Sequence, residues 1–201
     1  MTEAEWQVCT DPLKMLHYLR ADPAARKTLL LVGASIRRHW DVLAEEGREW
    51  VLLAEEYAER PGPYRLAHRD EVFGDHWDGI SIAGEAAWDG VSGAIDQLWC
   101  AYYQCEDYDT LVGNKDWEAE RRQQVILLHD IFGYPFRPLP PRPEAIAPLA
   151  EQIYAGAWDK MPLLGQWLQE HGYPTEAEHC LDPKLHHVKG CWVVDWATGR
   201  E

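Results

Sequence analysis

Five prolines fall within nine residues, at Pro135, Pro138, Pro140, Pro141 and Pro143 of "YPFRPLPPRP". Each lacks a backbone N–H and holds φ at about −65°, so the run can neither continue a helix nor sit inside a sheet. The segment is therefore an extended strap, and regular structure has to be arranged before and after it. This divides the chain into residues 1–134, a strap over 135–147, and residues 148–201.

On both sides of the strap the periodicity is helical. Asp11-Pro12 and Asp22-Pro23 each place a capping carboxylate before a proline at the first helical position. Leu13, Leu16 and Leu19 follow the first; Leu29, Val32, Ile36, Trp40 and Leu43 follow the second, with Gly47 as its stop. Trp50, Leu53 and Tyr57 continue the spacing up to Pro61. Residues 64–84 lack a clear period and read as a short helix and a loop. Trp88, Val91, Ile95, Leu98, Trp99 and Tyr102 mark a core helix over Glu85–Gln104, and "DTLVGNKDW" reads as a turn. Asp116 then caps, and Gly133 ends, a helix running through "VILLHDIF".

Beyond the strap, "APLAEQIYAGAW" and "MPLLGQWLQEHG" are short helices, and Thr175 with Glu178 offers a capping box to a third. "CWVVDWATG" reads as a helix, because Trp192 and Trp196 stand four apart and no second strand exists to pair with it. The expected fold is mainly all-α: an N-terminal helical bundle, the proline-rich strap, and a small C-terminal helical subdomain packed back to form one globular unit.

The 201 residues include eleven tryptophans, ample material for a core. With 34 acidic against 19 basic residues, the net charge of -15 repels phosphate backbones and anionic headgroups, so neither nucleic acid nor membrane is the expected partner. The acidic start "MTEAEWQVCT" has no apolar run, and no window approaches the ~18 apolar residues of a membrane helix, so a cytoplasmic protein is expected. The five cysteines, at 9, 100, 105, 180 and 191, have no framework spacing. They read as reduced thiols or metal ligands rather than the staples of a secreted domain.

Phosphate-cradle, dinucleotide, nucleophile-elbow and helical zinc-protease motifs are absent from the sequence. The densest chemistry lies between Glu178 and Cys191. Cys180, His187 and Cys191 are of the ligand types Zn²⁺ prefers, the spacing of His187 and Cys191 puts both on one face of a helix, and His179 or His186 could be the fourth donor. The spacing lacks paired knuckles, however, and buried thiols serving as small hydrophobes account for the cysteines equally simply. His129-Asp130 has the composition of an acid–base pair, but helical neighbours point ~100° apart, which leaves a polar helix end. His68, Asp75, His76 and Asp78 form a loose group of metal-binding type or a solvated loop. Glu45, Glu46, Glu55, Glu56 and Glu59 read as an exposed helix face.

"MTEAEW-x2-CTDP-x2-ML-x2-LR", "RRHW", "LLHDIFGYPFRP" and "HC-x6-HVKGCWVVD" together resemble a large, paralogue-rich family of planctomycete-type bacteria, some of whose members are modules of longer chains. The resemblance implies no particular activity. It does imply that His179, Cys180, His187 and Cys191 belong to a recurrent pattern. The family often carries cysteines before its "RR-x-W", where this chain has Gly33, Ala34 and Ser35, a departure that weighs toward packing. The expectation is thus a non-enzymatic interaction or regulatory module that binds another protein through its helix faces or strap and needs no cofactor. The alternative is a metal-dependent, hydrolase-like enzyme or a structural-zinc protein using His179, Cys180, His187 and Cys191.

Overall fold

The computed structural model describes residues 1–19, 26–38, 40–42, 45–60 and 115–200. Among them the regular elements are helices, and no strand occurs. The expected start at Asp22-Pro23, the 64–84 segment, the Glu85–Gln104 helix, Cys100, Cys105 and the His68 to Asp78 group lie outside the described residues. No helix among the described residues is long and apolar enough to cross a membrane. The chain divides into two compact units, Met1–Val125 and Ile126–Glu201.

In the first unit, α1 (Glu3–Gln7) opens with a capping box that the expectations above omit: Thr2 Oγ1 accepts from the Glu5 N–H at 3.2 Å, and Glu5 Oε2 accepts from the Thr2 N–H at 2.7 Å. The cap anchors the turn that buries Trp6. Replacing Thr2 with alanine is expected to cost about 1 kcal/mol in a urea titration followed by tryptophan fluorescence. The next helix, α2 (Pro12–Leu19), begins at Pro12 and buries Met15 and Leu16.

Two expectations for this unit are corrected. The long helix reaching Gly47 is instead α3 (Arg26–Arg37), a 3-10 turn at Trp40–Val42 and α4 (Glu45–Ala58), so Gly47 lies inside a helix rather than ending one. A helical glycine costs only about 1 kcal/mol, less than tertiary packing supplies. Glu55, assigned to the exposed face, is buried where α4 meets α3, and Arg37 Nε donates to its Oε1 at 2.8 Å. A buried carboxylate requires such a partner. Glu56 remains exposed.

The helix α5 (Lys115–Phe132) begins one residue before Asp116, the expected cap, and ends at Gly133, whose φ of 60° is open to glycine at little cost. The strap follows inside the second unit, then α6 (Ala147–Tyr154), α7 (Met161–Glu170), α8 (Pro174–Leu181) and α9 (Trp192–Thr198). Thr175 does not cap α8: Pro174 starts that helix a residue earlier, and Tyr173 stands at the N-cap without a side-chain bond. Ile146, Ile153, Met161, Leu164, Leu168, Val193 and Val194 form the core of this unit. A methyl group at Gly165 of α7 would lie 2.7 Å from Leu181 and 2.9 Å from the Cys180 Cβ, which shows how closely α7 and α8 approach.

Candidate metal centre

Four donor atoms converge in the second unit. Asp130 sits in the last turn of α5, His179 in α8, His187 in the connection after it, and Cys191 at the N-cap of α9. Each offers one donor atom, a carboxylate oxygen, a ring nitrogen or the thiol sulfur, and all four atoms lie within 4.8 Å of one another. Asp130 Oδ1 is 2.7 Å from His187 Nδ1 and 3.0 Å from His179 Nε2. Cys191 Sγ is 3.4 Å from the same nitrogen of His179 and 3.8 Å from that of His187.

Local turns deliver these atoms. Asp182 accepts the Lys184 N–H on its side chain at 2.9 Å and turns the chain after α8. Gly190, at φ 90°, turns it again, and the Cys191 N–H bonds to Val188 O at 3.0 Å. His187 and Cys191 therefore meet across a turn, which corrects the expected single helix face. The second oxygen of Asp130 accepts the Val188 N–H at 2.9 Å, locking the carboxylate plane.

Asp130 is fully buried, so the polar helix end expected at His129-Asp130 is also corrected. His129 occupies a different, half-buried face and is not one of the four donors. Cys180, expected as a ligand, is buried against α7 and lies outside the converging set; His186 is exposed. Gly33, Ala34 and Ser35 lie on α3, in the first unit. Among the described residues Cys9, Cys180 and Cys191 are free thiols.

The electrostatics distinguish the two anionic donors. Burial pushes the Asp130 carboxyl upward, but hydrogen bonds from His179 and His187, and then their charges, outweigh it and hold the group at about 2. Burial pushes the Cys191 thiol well above its usual range, and the charges of Asp130 and Cys180 add to that, while the Val193 and Val194 N–H groups oppose it. Cys180 is likewise raised, first by burial and then by Asp130. Burial, followed by the charge of His179, lowers His129. Without a cation, then, the centre holds a carboxylate and a protonated thiol.

Since the folded Asp130 carboxyl titrates below its ordinary 3.8, it contributes stability that is present above pH 3.8 and lost as the pH falls toward about 2. Acid unfolding of metal-stripped protein, followed by circular dichroism, is expected to steepen in that window. The Asp130→Asn variant should lack this steepening.

Each imidazole nitrogen in the centre lies close to both the carboxylate and the sulfur. A cation at the centre of the four atoms satisfies all of them together. Metal–nitrogen and metal–oxygen bonds of about 2.0–2.1 Å and a metal–sulfur bond of about 2.3 Å give a tetrahedron with edges of about 3.3–3.6 Å; the sulfur–imidazole separations of 3.4 and 3.8 Å lie close to that range, while the carboxylate–imidazole ones of 2.7 and 3.0 Å are hydrogen-bond lengths that a cation would have to widen. No protein-family model matches the chain, and no curated protein or solved structure does.

Proposed function

We propose that this chain is a non-catalytic helical module whose second unit is closed by a structural divalent metal ion, zinc by preference, bound by Asp130, His179, His187 and Cys191. The observation that carries this reading is the convergence of two imidazoles, a carboxylate and a thiol, with one donor atom of each within 4.8 Å of the others. A dication bound to ionised Asp130 and Cys191 and two neutral imidazoles leaves no net charge, which is what a buried site requires. Imidazole and thiolate favour zinc over magnesium or calcium, which take oxygen ligands.

The side chains of His179, His187 and Asp130 are at most 7% exposed. A catalytic metal keeps one position open to water or substrate, and four buried protein donors leave none. The module is accordingly proposed to act by binding another protein.

Cobalt substitution tests the donor set. Co²⁺ added to metal-free protein is expected to give the visible absorption of a tetrahedral site together with a sulfur-to-cobalt charge-transfer band, and Cys191→Ser should lose that band while Cys180→Ser keeps it. A pale octahedral spectrum, or equal loss in both variants, refutes the assignment.

A further inference from the structure

Every residue from Arg137 to Pro143 is either a proline or stands directly before one. The proline ring fixes φ at about −65°, and its Cδ keeps the preceding residue out of the α region, so the whole run is confined to extended backbone. Pro143, with φ −75° and ψ 122°, closes the run in that conformation. A polyproline II helix repeats every third residue, and the burial of the strap follows that period. Pro140 and Pro143 make a half-buried inner edge; Pro138 and Pro141 make one exposed edge, and Leu139 and Arg142 the other.

The second unit holds this helix in place. Trp196 Nε1 donates to Pro140 O at 2.9 Å, and the Tyr173 hydroxyl donates to Pro141 O at 3.3 Å. At the start of the strap the Arg137 guanidinium stands over the Tyr134 ring at 6.0 Å, and Tyr134 meets the Trp192 ring edge-on. Tyr134, Phe136 and Arg137 make further interactions. Near its end the Arg142 guanidinium lies against Gly199. The two exposed edges are therefore a fixed ridge: prolines about 9 Å apart along it, with Leu139, 51% exposed, and a cation beside them.

We propose that this ridge is the docking site for a protein domain that reads polyproline helices through an aromatic groove, with a carboxylate on the groove's rim facing Arg142. The proposal rests on the reading of the chain as a protein-binding module and names the chemistry of the partner; it does not involve the metal centre. Grooves of this kind take prolines in P-x-x-P spacing, which Pro138 and Pro141 supply, and pack their rings against the prolines and the apolar residue beside them. A helix already formed loses little freedom on binding, so its contacts are not spent on ordering it. No acidic residue occurs between Tyr134 and Pro143, and both charged residues there, Arg137 and Arg142, are exposed cations. Since the chain as a whole carries -15, the attraction has to be local, a rim carboxylate within reach of Arg142 rather than a broadly acidic partner surface.

The probe is a ¹⁵N-labelled SH3 domain with tyrosine and tryptophan in its groove and carboxylates on its rim, titrated with the full chain. Shifts are expected in the groove, and Leu139→Asp and Arg142→Glu are each expected to weaken binding about tenfold or more, with circular dichroism showing both variants folded. A peptide of residues 134–145 is the flexible comparison, and the full chain is expected to bind more tightly than it does. Tighter binding to the peptide than to the chain overturns the proposal, because the folded protein would then mask the ridge. So does the absence of binding to both, or binding to the chain that neither substitution weakens. Such results exclude the strap as the docking face and leave the metal site to the cobalt spectra.

Discussion

Asp130→Asn is expected to abolish stoichiometric zinc binding and to destabilise the metal-free second unit by about 2–4 kcal/mol, because it breaks a buried, hydrogen-bonded charge cluster at its hub. Asparagine has nearly the same shape and can still accept the Val188 N–H, so packing is almost unchanged. What disappears is the anion that receives both imidazoles, at 2.7 and 3.0 Å. One of its amide protons is then aimed at a ring nitrogen. Urea unfolding of chelated wild type and variant measures the stability difference, and elemental analysis measures the metal. Excess zinc at about 100 times its dissociation constant is expected to add about 2.7 kcal/mol to the wild type and nothing to the variant.

The second large effect is expected at Gly133. The residue has φ 60°, where a side chain costs about 1–2 kcal/mol, and the added methyl group would meet the Trp192 ring at 2.6 to 2.8 Å. Trp192 is packed by Tyr134 and His179 and cannot simply withdraw, so overpacking adds about 1–3 kcal/mol. Gly133→Ala should therefore lower the melting temperature by about 10 °C or more. The displaced indole pulls on Cys191, so zinc affinity should fall as well. A variant that melts with the wild type and binds zinc equally would contradict the packing described here.

The helices of the second unit were legible because their signals are local. Trp192 and Trp196 at helical spacing mark α9, "MPLLGQWLQEHG" marks α7, and Gly133 ends α5. Signals that compete locally were misleading: Gly47 stands inside α4, and Pro174 pre-empts the Thr175 cap. The site was legible in part. His179, His187 and Cys191 stood out by residue type, but the geometry that joins His187 to Cys191 is a glycine turn, which spacing alone does not distinguish from a helix face.

Asp130 lies 49 and 57 positions from its histidine partners, a distance no local pattern spans. A clue existed nonetheless. The residue falls within the apolar "VILLHDIF" run, between the buried Leu127 and Leu128 and the buried Ile131, where an unpaired carboxylate would be prohibitively costly. A charge in a core position implies a partner elsewhere in the fold. Cys180 was the opposite case: it shares the residue type of a ligand but packs against Gly165.

The most direct test of the metal centre is the metal-to-protein ratio, by inductively coupled plasma mass spectrometry, of untagged wild type, Cys180→Ser and Cys191→Ser. One equivalent of zinc is expected in the wild type and in Cys180→Ser, and almost none in Cys191→Ser. Metal-free wild type after zinc reconstitution, or equal loss in both variants, would contradict it.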